Sequence, residues 1–398
     1  MPAALLPMMI GICERAACSI PSRFKRVRCD RNTKRPGVSK PVISFENWLG
    51  EAPFARVQRD KERRLLPALL ALTAHHAAAC PDYRRLLAVA WPDWSKAGSL
   101  ADIPFLPVDL FRSHAHRLAS VPEAAIRSWV RSSGTSGQPV SRVPLDDRAV
   151  QCQARALAAV LRVVLGPVRL PMLIIDDRET LNGAGPTQAR AAGILGVMKL
   201  GRDYVFALGP EGRLDLSAVT GFLARHGARP FLVYGTTAVV WQALHQGLEA
   251  QELTLELGQG VLIHGGGWKR LVTEAVDRAA FRAGLARSCN LTRIHDFYGM
   301  AEQIGTVFLE GSDGLLHPPG FADVIIRDPK TWQPLPPGQL GVIEVLSLLP
   351  WSYPGHALVT GDLGVVEAVD PPGGWPGQGL RVVGRVAGAP VRGCGAAG

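Results

Sequence analysis

The sequence predicts an α/β protein, with mixed sheets flanked by helices and a β-rich C-terminal subdomain. Three observations carry this. Between residues 146 and 298, short apolar runs alternate with segments of helical period, the signature of βαβ units. After about residue 305 the helical period gives way to short apolar runs separated by Pro/Gly turns. Apolar residues make up 47% of the 398-residue chain, with mean hydropathy +0.11, which suffices for a large core and excludes global disorder.

The elements follow in order. Residues 54–90 read as helices, because Leu65, Leu66, Leu69, Leu70 and Leu72 cluster at helical spacing, and Tyr83, Leu86 and Leu87 form a second apolar face opened by Pro81. Residues 103–108 are extended and stiffened by Pro104 and Pro107. Residues 129–131 read as a short strand, and 146–164 as a helix. Strands are then expected at 172–175, 231–233, 261–264 and 294–297, with helices at 216–225, 238–248 and 268–282. The β-rich part is expected to use 307–309, 324–326, 341–346, 364–367 and 380–383. These divide the chain into a basic extension (1–42), an α/β core (43–305), a β-rich subdomain (306–385) and a flexible tail (386–398).

The net charge of +10 is unevenly placed. Residues 1–42 hold nine Lys/Arg against Glu14 and Asp30, so this segment carries +7 and the rest only +3. The body is not a nucleic-acid surface, and Phe24 alone interleaves the basic run, so no stacking platform is indicated. The segment reads as a disordered extension, with an Arg-rich, acid-poor mitochondrial-type presequence as the alternative. No apolar run reaches the ~18 residues of a membrane span. Seven scattered cysteines without a C-x-x-C pair argue against a zinc ribbon or redox motif and suit a reducing cytoplasm.

Four ordered segments carry chemistry. Ser132-Ser133-Gly134-Thr135-Ser136-Gly137 has no bulky side chain, so its backbone N–H groups and hydroxyls can approach phosphate oxygens. It is not a Walker A loop, since no Lys-Ser/Thr follows. Far downstream come Tyr298-Gly299-Met300-Ala301-Glu302, then Thr360-Gly361-Asp362, then Gly384-Arg385. An aromatic face suits a base, and a hard carboxylate suits Mg²⁺. Singly, each segment is also an ordinary turn or helix start. His75-His76 reads as a polar helix face, and His264 and His295 as site-shaping or core histidines.

The order of these segments resembles the adenylate-forming superfamily. The resemblance implies ATP and Mg²⁺ as cofactors. Ser132 to Gly137 corresponds to its phosphate loop, Tyr298 to the residue against adenine, and Glu302 to the Mg²⁺ ligand. Asp362 corresponds to the ribose acceptor, and Arg385 to an arginine reaching the nucleotide. Two positions depart from the pattern. Gln138-Pro139-Val140-Ser141-Arg142 replaces Pro-Lys after the loop, making Arg142 a candidate for the missing charge, and Ala301 replaces a threonine.

Within the superfamily, Ile103-Pro-Phe-Leu-Pro-Val-Asp-Leu-Phe111, His264-Gly-Gly-Gly-Trp268-Lys269, Tyr298–Gln303 and Arg392-Gly393-Cys394 resemble the acyl-protein synthetases of bacterial luciferase operons and biosynthetic clusters. The resemblance covers roughly residues 43–394. It implies activation of a fatty or other carboxylic acid as acyl-AMP, transfer to a C-terminal cysteine, and delivery to a partner such as an acyl reductase or carrier protein. The fold implied is that of the superfamily's N-terminal domain. The sequence ends 13 residues after Arg385, so the large C-terminal lid domain is expected to be absent.

Lys269 is then a candidate for the positive charge at the carboxylate or α-phosphate, the plainer alternative being a solvated lysine. Gly266 is expected beside the nucleotide. Cys394 is the candidate nucleophile, with Arg392 nearby to favour its thiolate. Two further functions fit the same motifs: an acyl-CoA ligase resembling phenylacetate-CoA ligases, and a non-catalytic nucleotide-binding scaffold.

Overall fold

The computed structural model describes residues 45–112, 118–132, 140–182, 188–209, 212–268 and 275–386. The chain enters through two helices, α1 (Gln58–Ala79) and α2 (Pro81–Ala90), the second opened by Pro81 as expected. A two-residue strand β1 (Leu106–Pro107) follows. Strands β2 (Ser128–Arg131) and β3 (Arg142–Leu145) then form an antiparallel hairpin of their own. Helix α3 (Asp147–Leu165) starts where the Asp146 carboxylate accepts a hydrogen bond from Ala149 N.

A βα alternation succeeds it: β4 (Leu170–Asp177), α4 (Gln188–Met198), β5 (Gly201–Leu208), α5 (Leu216–His226), β6 (Phe231–Thr236), α6 (Thr237–Trp241), β7 (Gly260–Gly265), α7 (Arg278–Cys289) and β8 (Arg293–Tyr298). Antiparallel strands complete the chain: β9 (Phe308–Glu310), β10 (Leu316–His317), β11 (Ala322–Arg327), β12 (Gly341–Ser347), β13 (Ala357–Val369) and β14 (Gln378–Arg385).

Apart from the β2–β3 hairpin, these strands form one sheet of order β11-β12-β13-β14-β10-β9-β8-β7-β6-β4-β5, with β1 beside β13. Strands β4 to β8 are parallel, as crossover helices require. The sheet turns antiparallel at β8–β9, where Tyr298 faces Phe308. The segment Tyr298–Glu302 therefore leaves the sheet where its character changes.

Two expectations are corrected. Of the helix expected at 268–282, residues 269–274 lie outside the described residues; α7 starts at Arg278, where the Asp277 carboxylate caps Ala280 N, and ends at Asn290, which takes the left-handed conformation. His75-His76 is not a solvated face. His76 is fully buried, its Nδ1 on Ser120 Oγ (2.7 Å) and Nε2 on the Pro350 carbonyl (3.0 Å). His356 stacks on it, with Nε2 on Thr73 Oγ1 (2.9 Å). This cluster fastens α1 to the segment leading into β13. No helix among the described residues is long and apolar enough to cross a membrane.

Burial, assisted by the neighbouring histidines, pushes His76 well below the usual imidazole range and His356 down to about 3. Both are neutral in the folded protein. The unfolded chain takes up their protons below about pH 6.5, so their contribution is present above that pH and lost as the pH falls towards the folded value. Each adds about 1.4 kcal/mol per pH unit to the slope of stability. His356→Gln is expected to remove about that much slope between pH 6 and 4, measured by urea unfolding. An unchanged slope would show that His356 titrates freely.

Candidate functional site

Strands β7 and β8 end side by side, with Gly265 in register with Phe297. Beyond β7 the chain turns through Gly266, whose φ of +83° disfavours any side chain. Gly266, Gly267 and Trp268 then line a cavity of about 400 Å³ together with Thr237, His264, Asp296 and Tyr298. On its far side stand Arg278, Arg282 and Glu310.

Two carboxylates in this cavity are held in opposite states. Glu310 is buried, which alone would raise it. The Asp296 N–H (3.0 Å), Arg282 (2.9 Å) and Arg278 outweigh burial and hold it below the usual carboxylate range. Asp296 is pushed up to about 8, first by its recessed setting and then by Glu310. Its side chain is still 31% exposed, so it can reach a ligand in the cavity. An acid that keeps its proton near neutral pH donates as well as accepts. His264 lies 3.7 Å from Asp296 and 3.0 Å from Thr237 Oγ1, and burial lowers it to about 4. It is a neutral site-shaping histidine.

Tyr298 lines the same cavity yet is only 3% exposed. Its hydroxyl donates to the Asp362 carboxylate at 2.8 Å. Asp362 and Arg385 are cross-strand neighbours on β13 and β14, with Arg385 Nε 3.3 Å from the second carboxylate oxygen. The segments that singly read as turns are thus strand positions, placed opposite each other by register. Glu302 lies in a short 3₁₀ turn and is buried rather than solvated. Its carbonyl accepts from Tyr353 Oη (2.8 Å), while its Oε1 accepts no hydrogen bond among the described residues. A buried carboxylate oxygen in that condition fits a hard cation. Among the described residues no cluster of three metal-ligating side chains exists, so a cation here would take its other ligands from a substrate or water.

Ser132 is the foot of the Ser/Gly loop: its N–H donates to the Ser141 carbonyl (3.1 Å), and its Oγ accepts from Ser141 N (3.0 Å). Arg142 stands opposite Arg131, its guanidinium 5.2 Å from the centre of the Trp129 ring. Ser133 to Gly137, Lys269 and Cys394 lie outside the described residues, as do the 1–42 extension and the tail beyond Val386.

A second cavity, of about 310 Å³, lies between α3 and α4. Its wall is largely apolar, with Val150, Leu157, Val197, Tyr234, Met300 and Ile304 contributing. Phe297 lines both cavities, and Gly299, Met300 and Ala301 line the second. Both walls are mainly apolar, but the first, the polar chamber, also carries Asp296, Glu310, Arg278 and Arg282, whereas the second holds no acidic side chain; the motif segment separates the two. Sequence reading missed both Asp296 and this second chamber.

The fold is that of the adenylate-forming enzymes. The fold is similar to solved structures of 2-hydroxyisobutyryl-CoA ligase. An open form in complex with 2-HIB-AMP and CoA has a TM-score of 0.62 at 17% identity, covering 91% of this chain and 82% of that one. The postadenylation form with 2-HIB-AMP has a TM-score of 0.61 at 17% identity, covering 90% and 74%. Residues 43–397 match the family Acyl-protein synthetase, LuxE, and the chain belongs to that family. It is similar to the long-chain-fatty-acid–luciferin-component ligases of Aliivibrio fischeri (24% identical over 310 residues, 74% of this chain and 78% of the relative) and Vibrio harveyi (26% over 310 residues, 74% and 77%). It is an acid–thiol ligase of the acyl-protein synthetase type.

Tyr298→Phe removes a buried donor from the Asp362 carboxylate. The expected cost is about 1.5–3 kcal/mol of unfolding free energy, read from the urea midpoint at unchanged slope. A midpoint within error of the parent would contradict this role for the hydroxyl.

Proposed function

We propose that this protein joins a long-chain fatty acid to AMP at the expense of ATP, and then carries the acyl group on Cys394 to a partner protein. The supporting observation is the pair of chambers meeting at Phe297–Ala301 beside Glu302. One carries acidic and basic side chains and is lined by Gly266 and by Tyr298, whose hydroxyl holds Asp362; the other is largely apolar and suits an alkyl chain. The related ligases of Aliivibrio fischeri and Vibrio harveyi, named for long-chain fatty acids, point the same way.

In the first step a carboxylate oxygen attacks the α-phosphorus. A phosphorus–oxygen bond to the β-phosphate breaks, and pyrophosphate leaves. The protein's part is positioning and charge stabilisation. Asp362 takes the ribose hydroxyls, with Tyr298 and Arg385 fixing its carboxylate. Glu302 would hold Mg²⁺, which supplies charge neutralisation at the phosphates. The loop Ser133–Gly137 grips those phosphates, with Arg142 at its base. Gly266 lets the backbone approach the base, and Asp296 meets the base edge. Lys269 follows Trp268, which lines the polar chamber, and supplies charge at the reacting carboxylate or α-phosphate.

In the second step the Cys394 thiolate attacks the acyl carbon, the carbon–oxygen bond to phosphate breaks, and AMP leaves. An acyl reductase or a carrier protein is the acceptor that follows. Cys152 and Cys289 are free thiols, which suits the reducing cytoplasm.

The test is pyrophosphate–ATP exchange with labelled hexadecanoic acid, followed by gel analysis of protein-bound label. The parent is expected to exchange only with the acid present and to retain label. Glu302→Gln should lower exchange about a hundredfold. Cys394→Ser should exchange normally but carry no label. Label on that variant would sink the thioester role. Turnover with free coenzyme A and no labelled protein would make the enzyme an acyl-CoA ligase instead.

A further inference from the structure

The apolar chamber is bounded by two helices that approach each other through glycine. Helix α4 presents Ala192, Gly193 and Gly196 to it, and α3 presents Gln153, Ala154 and Leu157. Positions three apart share one helix face, so Gly193 and Gly196 form a bare strip along the chamber. The strip is tightly faced. A Cβ at position 193 would fall 2.6 Å from Tyr234 Oη, and one at 196 would fall 3.2 Å from Leu157 Cδ2.

The two levels differ in depth. Tyr234 stacks on Phe297, which directly precedes Tyr298 at the start of the motif segment. Gly193 therefore lies near the reacting end. The helix then rises about 1.5 Å per residue away from it, so Gly196 sits about one turn deeper. Lys199, just past the end of the helix, marks the far end. Glycine costs about 1 kcal/mol against alanine in a helix interior. Two of them on one face that lines an apolar chamber conserve space.

We propose that Gly196 and Leu157 form the gauge that sets the length of acyl chain accepted. The carboxyl end of the acid lies at Gly299–Met300, and the alkyl chain runs over the wall formed by the Gly196–Leu157 contact towards Lys199. This rests on the reading that the apolar chamber holds the acyl chain. A side chain at 196 narrows the deep half and leaves the reacting end untouched, whereas truncation of Leu157 widens the same level.

The test is acid-dependent pyrophosphate exchange across a series from hexanoic to hexadecanoic acid. Gly196→Val should lower kcat/KM for hexadecanoic acid about tenfold or more relative to hexanoic acid, with KM for ATP unchanged. Leu157→Ala should shift the optimum the other way. Replacing glycine in a helix interior favours the helix, and Leu157→Ala supplies a second, independent arm. If both variants keep the parent profile, the gauge is wrong while the acyl chamber stands. If the parent exchanges with no acid of any length, the underlying reading fails and the gauge with it.

Discussion

The bond from the Tyr298 hydroxyl to the Asp362 carboxylate joins positions 64 residues apart and ties together the two characters of the sheet. Tyr298 ends the last parallel strand, and Asp362 lies within an antiparallel one. Both groups are buried, so the bond forms where water cannot compete for either. Cross-strand register then puts Arg385 beside Asp362 without any further device. Three segments scattered along the sequence thus become one rigid wall. The turn that follows Tyr298 is fixed from below: Gln303 donates to the Val345 and Gly355 carbonyls, and Tyr353 to the Glu302 carbonyl. Glu302 is held in place by its backbone, which leaves one carboxylate oxygen for a ligand.

The site works by giving similar groups different surroundings. Glu310 and Asp296 are both carboxyls on neighbouring strands. Two arginines neutralise the first, and the second is left facing it in a recess. The outcome is one fixed charge and one acid that keeps its proton into the neutral range. Similarly, His264 is kept neutral by burial despite the acids around it. A chamber lined by charged and hydrogen-bonding groups on one side of Phe297 and a largely apolar one on the other suit a reaction that joins a polar nucleotide to an alkyl acid.

Much of the frame was legible in the sequence because its strands are short apolar runs bounded by turns. Residues 172–175, 231–233 and 261–264 all fall inside strands of the parallel half. Helix α4 escaped because its sequence, Ala-Ala-Gly-Ile-Leu-Gly-Val-Met at the end, is apolar on every side and shows no helical period. Strand β5 was hidden by Arg202 and Asp203 at its start. The start of α7 was misplaced because the Trp268 to Val276 stretch has apolar spacing, while the physical stop is the Asp277 cap. At the site, motif order carried Tyr298, Glu302, Asp362 and Arg385. It could not show Asp296, whose character comes first from burial and then from the nearby Glu310, nor the α3–α4 chamber, which exists only once two distant helices pack.

The most direct measurement is a crystal structure of the protein with a non-hydrolysable hexadecanoyl-AMP analogue, its phosphate replaced by a sulfamoyl group. The adenosine is expected in the polar chamber, with ribose hydroxyls on Asp362 and the base between Gly266 and Tyr298. The alkyl chain is expected in the cleft between α3 and α4, with the junction at Gly299. An adenosine in the α3–α4 cleft, or an alkyl chain leaving through the polar chamber past Arg278, would contradict the division of the site on which this account rests.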